Sequence, residues 1–285
     1  MNKELSYRTD PWFPHSVGAP RHLDNVSPVN SLSAAAAGIW RLGDLAVNRL
    51  GFGAMRLTGS LPFAEGSPSD RGQSIAVLRR AVELGVNHID TAAFYFSPLR
   101  SANELINTAL APYPGDLVIT TKVGPGRDAW GEESIAEHFG ALADLRAAGL
   151  IRHLGVSDVT VDQLTEALLI APVVCVQNRY GLDLREHGPV LRACAERGIA
   201  FVPYFAIAGP SRPSGRRPPE PGPLLAVARR HDATPAQIRL AWTLHQSPNV
   251  LAIPGTGNVA HLEENVGAAA LRLSPEDLSL LDAAV

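Results

Sequence analysis

"RLGFGAMR", Arg49 to Arg56, decides between two folds. Along most of the chain, short apolar runs rich in β-branched residues alternate with helical patterns, which predicts a parallel sheet covered by helices. A doubly wound sheet should follow its first strand with a Gly-x-Gly-x-x-Gly turn that holds a pyrophosphate. Gly51 and Gly53 supply the first two glycines of that turn, but the third is missing. The fingerprint fails. The alternative is a barrel, which gathers its chemistry at the C-terminal ends of several strands. Asp90, Lys122, Ser157, Gln177, Tyr204 and the "PGTGN" that follows Ile253 all stand at such ends. The fold class is therefore read as α/β, a TIM-type (β/α) barrel.

Working outward, the strand candidates are residues 49–54, 86–92, 117–123, 151–157, 173–178, 199–205 and 250–255. That makes seven recognisable strands, one fewer than a closed barrel of this type needs, so an incomplete or distorted barrel is expected. Helical patterns cover 71–85, 188–198 and about 132–148, and Gly85, Gly149 and Gly198 end helices just before a strand. "GPGRDAWG", residues 124–131, has no apolar alternation and cannot be a buried strand. The chain is expected to pass from the Lys122 run through one loop and one helix into the Ile151 run. Residues 1–38 are polar and Pro-containing and are read as a loosely ordered N-terminal extension, leaving 39–285 as the barrel domain. "GPSRPSGRRPPEPGP", residues 209–223, is read as a long loop over a site, where Arg212, Arg216 or Arg217 could clamp a pyrophosphate or simply face solvent.

Composition removes several function classes. The chain has 285 residues, 46% of them hydrophobic, enough for a sizeable core. A net charge of −3 and a pI near 6.3 give no basic stripe for nucleic acid or an anionic membrane surface. No apolar run reaches the roughly 18 residues of a membrane span. "SLSAAAAGIW", residues 31–40, lies behind a polar segment and does not fit a signal peptide. Only two cysteines, Cys175 and Cys194, are present, which fits a reducing, cytoplasmic setting. The nine histidines show no HExxH spacing and no Cys/His cluster, so no metal site is expected. Of 25 basic side chains 23 are arginine, and Lys122 is one of just two lysines. A chain that defaults to arginine and keeps a lysine at a strand end invites a chemical reason.

"VNHIDTAAFYF", Val86 to Phe96, supplies one. Neighbouring parallel strands bring the ends at Asp90 and Lys122 together, with Tyr95 reaching back from the loop. A phenol ordinarily titrates near pH 10, too high for an effective acid at neutrality. A nearby ammonium would lower that value, and a carboxylate would hold the ammonium in place. The three groups together would protonate a carbonyl oxygen. A buried ion pair beside an incidental tyrosine is the other reading of the same residues.

Several longer stretches resemble the aldo-keto reductases, specifically a bacterial subgroup. They are "VNRLGFGAMRLTG", "ELGVNHIDTAAFY", "LVITTKVG", "GLIRHLGVSDVTVDQL", "VVCVQNRY", "ATPAQIRLAW" and "IPGTGNVAHLEEN", in order from about Gly38 to the C-terminus. The resemblance implies an eight-stranded α/β barrel that binds NADPH, or NADH, in extended form and reduces a small-molecule carbonyl. It places Asp, Tyr and Lys of a catalytic tetrad on Asp90, Tyr95 and Lys122. It assigns Ser157 and Gln177 to the nicotinamide carboxamide, with Asp158 standing where asparagine is common, and Tyr204 to the nicotinamide face. Thr256, Gly257 and Asn258 match the turn around the 2′-phosphate, and Glu264 and Asn265 match adenine contacts. Gly255 stands where many relatives have lysine, and His261 where they have arginine.

The tetrad histidine has no counterpart. It belongs at the end of a fourth strand, and the chain lacks roughly one strand-plus-helix unit of 30–40 residues there. His88 shares the inward facing of Asp90 on the same strand but reads as a hydrogen-bonded core residue, and His138 and His153 as structural or surface groups. Losing one such donor costs about 10² to 10³ in rate, so the expectation is a slower reductase. A cofactor-binding barrel with lapsed activity acting as a regulatory subunit, or a non-redox lyase or isomerase using Tyr95 and Lys122, remain as alternatives. Substrate identity and oligomeric state are not readable.

Overall fold

Two residues, Gly43 and Asp44, turn the chain between two short apolar stretches and make a hairpin that the strand assignment above does not contain. Gly43 takes a positive φ of 62° at that turn. In this computed structural model, which describes residues 32–59, 69–124, 135–207 and 220–283, the hairpin pairs β1 (Ile39–Leu42) with β2 (Leu45–Asn48). Then follow β3 (Phe52–Gly53), α1 (Arg71–Glu83), β4 (His88–Asp90), the small ribbon β5 (Phe96–Ser97) and β6 (Arg100–Ser101), and α2 (Ala102–Leu110). Next come β7 (Val118–Thr120), α3 (Ile135–Ala147), β8 (Leu154–Ser157), α4 (Val161–Ile170), β9 (Val173–Gln177), α5 (Gly188–Glu196) and β10 (Ala200–Phe201). The chain continues with α6 (Gly222–Arg230), α7 (Pro235–His245), α8 (Val259–Gly267) and α9 (Pro275–Asp282). Ala34–Ala37, inside the stretch expected as an extension, form a 3-10 turn whose Ala34 is buried.

Local chemistry sets these boundaries. Thr160, Thr234 and Ser274 each cap a helix in a reciprocal box with the residue three positions on. Gly85, Gly149 and Gly198 take φ of 81°, 77° and 66° after α1, α3 and α5, the left-handed exit that glycine adopts without strain.

The strands form two parallel sheets, β3–β4–β7 and β10–β9–β8. The segment around residues 250–252 lies between them: Leu50 pairs with Ala252 and Phe201 with Val250, both parallel. Gly51 N donates to Ala252 O at 2.8 Å and Leu251 N to Phe201 O at 2.9 Å. All seven expected runs therefore stand in one order: β7, β4, β3, 250–252, β10, β9, β8. Among the described residues the sheets do not close: β7 pairs with β4 alone and β8 with β9 alone. Ile119 on β7 is 37% exposed, whereas its register partner Ile89 on β4 is fully buried. The described part of the connection, residues 135–148, is helical up to Ala147. Residues 1–31, 125–134 and 208–219, which hold most of the proposed extension, the "GPGRDAWG" loop and the three arginines of the proposed clamp, lie outside the described residues.

Side chains from both sheets meet inside. Ala200, Val202, Leu251 and the partly buried Val118 share one apolar cluster with Leu42 and Val47 of the hairpin. The hairpin thus covers the interior at the end opposite Asp90 and Lys122. Two larger clusters lie outside the strands, one under α1, α2 and α8 and the other under α4 to α7 and α9. Each fully buried leucine or phenylalanine there contributes about 1.5–3 kcal/mol relative to exposure. Arg49 stitches the first and last strands to α7, donating to the carbonyls of Leu244, Ser247 and Val250. Among the described residues, no helix is long and apolar enough to cross a membrane.

Candidate active site

Asp90 ends β4 and is 2% exposed, so its charge needs partners. Both carboxylate oxygens have one. Lys122 Nζ donates to Oδ1 at 2.6 Å and Gln177 Nε2 to Oδ2 at 2.8 Å. The register puts Asp90 opposite Thr120, and the ladder runs on through Ala93 N to Lys122 O, so Lys122 reaches the site from the same side of its strand. Its ammonium also donates to Thr91 O at 2.8 Å.

Tyr95 sits in the turn before β5, packed edge-on against Phe94 with ring centroids 5.3 Å apart. Lys122 Nζ lies 5.0 Å from the Tyr95 ring centroid, a cation over an aromatic face. The expected lowering of the phenol's pKa does not occur here. Burial pushes the Tyr95 hydroxyl up from its ordinary value, and the Asp90 charge adds to that. The physical reason is that Lys122 is engaged by Asp90 and Thr91 and faces the ring. Tyr95 consequently holds its proton at neutral pH, as a proton donor must.

The opposite wall comes from the other sheet. Ser157 is in register with Gln177 and donates its hydroxyl proton to Gln177 O at 2.8 Å, which leaves its lone pairs to accept from a ligand N–H. Asp158 follows with a φ of 55° and accepts the Tyr204 hydroxyl proton at 2.7 Å. Burial first, and then that hydrogen bond, push the Tyr204 phenol up. At the third wall Asn258 caps α8, its Oδ1 accepting from Ala260 N and His261 N at 2.8 and 3.2 Å. Thr256 Oγ1 accepts from Asn258 N at 3.1 Å. Asn258 thereby takes two of the amides that a phosphate at this helix end would use, leaving the helix dipole and the Gly255–Gly257 backbone to attract an anion. Glu264 is already tied to Thr234, and Asn265 is buried.

All these groups border one cavity of about 1080 Å³: Asp90, Tyr95, Lys122, Ser157, Gln177, Tyr204, Thr256, Gly257, Asn258, His261, Glu264 and Asn265. The volume suits an extended ligand. Met55, Arg56, Phe94 and Phe205 also line it, and the sequence reading did not single them out. Nor did it find the role of Gly53 and Gly255. A Cβ on Gly255 would lie 2.4 Å from Gly53 O, and one on Gly53 would lie 2.6 Å from Ile253 O. The two glycines let the first and last strand ends touch backbone to backbone. The Gly-x-Gly spacing was the available signal, and its meaning is close packing.

The histidines fall as expected for structural groups. His88 is buried, bonds Thr120 Oγ1 at 3.2 Å and does not border the cavity. Burial lowers its pKa to about 4, so it is neutral at pH 7. His153 pairs with Asp44 in the hairpin turn, and His138 lies on α3. Among the described residues His261 is the one histidine at the cavity.

A nicotinamide dinucleotide fits this donor set: a flat aromatic wall, a serine and a glutamine for an amide, a glycine turn running into a helix end. Comparison with known proteins agrees. The family model described as "Aldo/keto reductase family" matches in two stretches, residues 49–138 and 128–285. Pyridoxine 4-dehydrogenase of Escherichia coli (strain K12) is 41% identical over 284 aligned positions, covering 85% of this chain and 96% of that protein. The crystal structure of a thermostable aldo-keto reductase with the inhibitor epalrestat superposes with a TM-score of 0.73 at 29% identity, over 87% of this chain and 98% of that one. An aldo-keto reductase from Klebsiella pneumoniae in complex with NADPH gives a TM-score of 0.68 at 25% identity, over 84% and 91%. The chain belongs to the aldo/keto reductase family.

Proposed function

We propose that the protein is an NADPH-dependent oxidoreductase that reduces a small-molecule aldehyde or ketone to an alcohol, working without the tetrad histidine. One observation carries the reading: Asp90, Lys122 and Tyr95 converge in the same cavity as the Tyr204 wall and the α8 turn. When bound, the cofactor supplies a hydride to the carbonyl carbon. Tyr95 holds the proton that the carbonyl oxygen takes. Asp90 holds Lys122 over the face of the Tyr95 ring, and the paired charges fix where the acid sits. Ser157 and Gln177 orient the carboxamide; Thr256, Gly257, Asn258 and His261 receive the adenosine phosphate, with Glu264 and Asn265 at the base. With Gly255 and His261 in place of cations, the preference for NADPH over NADH is expected to be modest.

The seven strand positions, with interior side chains contributed by both sheets, support an open TIM-type barrel over residues 39–285 with its gap between β7 and β8. The E. coli relative needs 284 positions to cover 85% of a 285-residue chain, so it carries tens of residues that this chain skips. The two-stretch family match breaks around residues 128–138, between β7 and β8 in the chain. Two free cysteines support a cytoplasmic setting. Pyridoxal-type aldehydes are natural first candidates, given the relative's name. The test is NADPH consumption against a panel of aldehydes and ketones that includes pyridoxal. Saturable, carbonyl-dependent consumption is expected. Tight NADPH binding with no turnover on any carbonyl would replace the reading by a cofactor-binding role.

A further inference from the structure

We infer that Asp158 sets the balance between oxidised and reduced cofactor, holding the oxidised form more tightly than a neutral side chain there would. This rests on the reading above, in which the nicotinamide lies on Tyr204. Asp158 follows Ser157 at the end of β8 and borders the cavity. Its backbone is pinned by its own N–H, which donates to Gln177 O at 3.0 Å, and takes a φ of 55° that non-glycine residues seldom adopt. Such a constraint aims the side chain, and it receives the Tyr204 hydroxyl at 2.7 Å. The carboxylate is therefore one hydrogen bond from the aromatic wall.

Charge then separates the two cofactor states. The oxidised nicotinamide ring is a cation and the reduced ring is neutral, while the phosphates are common to both. A fixed negative charge beside the ring therefore lowers the free energy of the oxidised form alone. Two carboxylates border this part of the cavity, and they differ. The charge of Asp90 is matched by Lys122 at 2.6 Å. The described side-chain partner of Asp158 is a neutral phenol, so its charge stays uncompensated by that contact. The two sides of the reaction are carbonyl, reduced cofactor and protonated Tyr95 on one, and alcohol, oxidised cofactor and the Tyr95 phenolate on the other. The free-solution equilibrium is untouched. On the enzyme, the pair alcohol plus oxidised cofactor gains relative to carbonyl plus reduced cofactor.

The experiment is calorimetric titration of NADP+ and NADPH into wild type and Asp158→Asn. Asparagine keeps an acceptor for Tyr204 and loses only the charge. The expected result is that NADP+ affinity falls about three- to fivefold more than NADPH affinity, the worth of a partly solvated charge pair. A second measurement needs no variant. In the wild type the ratio of NADP+ to NADPH affinity should fall from low to high salt, because charges common to both cofactors cancel in the ratio. A ratio unmoved by both the substitution and salt, with both cofactors bound, overturns the inference alone. Absence of saturable binding of either cofactor overturns it together with the reading beneath it.

Discussion

Gln177 Nε2 donates to Asp90 Oδ2 at 2.8 Å, on the side of the carboxylate away from Lys122. Asp90 belongs to the β3–β4–β7 sheet and Gln177 to the β10–β9–β8 sheet, so this buried bond ties the two sheets together at the site. It also spares the amide's oxygen for a ligand. The bond is a structural tie and a site contact at once.

Replacing Gln177 with leucine should therefore cost stability as well as cofactor binding. It leaves a buried carboxylate oxygen without a donor, worth about 1–3 kcal/mol. Urea denaturation of Gln177→Leu against wild type measures this. An unchanged midpoint would show that the tie carries no weight.

Tyr95→Phe should lower reductive turnover by about 10² or more, the usual worth of a general acid. NADPH affinity should stay as it was, since the hydroxyl is lost from the substrate side. Because burial raises the Tyr95 pKa, wild-type reductive turnover should not fall as pH approaches the ordinary phenol value of about 10. A descending limb centred below that pH that vanishes in Tyr95→Phe would contradict the raised pKa, whereas equal turnover in Tyr95→Phe would contradict the role of Tyr95 as proton donor.

His88 predicts a stability slope in acid. Its folded-state pKa, about 4, lies below the ordinary histidine value of 6.5. The unfolded chain therefore binds a proton in this window that the folded chain refuses. Stability is full above the unfolded value and declines as pH falls from 6.5 to about 4, by up to about 3 kcal/mol. His88→Gln should flatten that part of the profile in chemical denaturation at stepped pH. An unchanged slope would assign the acid sensitivity elsewhere.

Gly255→Lys would supply the cation that the family resemblance leads one to expect at this position, yet it should harm the protein. Its Cβ would stand 2.4 Å from Gly53 O, a backbone atom that cannot rotate away. The expected outcome is a lower thermal midpoint and no gain in NADPH affinity. Tighter binding at unchanged stability would show that the first and last strand ends can separate.

Much of this was legible in the sequence. Buried parallel strands read as continuous apolar runs, and all seven runs occupy paired positions, as in "VVCVQN" for β9. The twelve site residues could be brought to one cavity because strand ends share one face of the fold. The hairpin of β1 and β2 was missed because just two of its side chains, Leu42 and Val47, are fully buried, which leaves a faint alternation. Gln177 and Asp90 are 87 residues apart, and sequence gives residue types but not cross-sheet distances. Tyr95 was misjudged for the same reason: the charges were visible, but its burial and the engagement of Lys122 by Thr91 O were not.

The central claim is hydride transfer from NADPH to a carbonyl carbon in this cavity, with Tyr95, Lys122 and Asp90 as the acid assembly. The most direct measurement uses NADPH deuterated at nicotinamide C4, incubated with wild type and a carbonyl from the panel, with mass spectrometry of the product. The account predicts one deuterium on the carbinol carbon of the alcohol, and transfer slowed by about 10² or more in Tyr95→Phe. Saturable NADPH binding with no label in any product would contradict it.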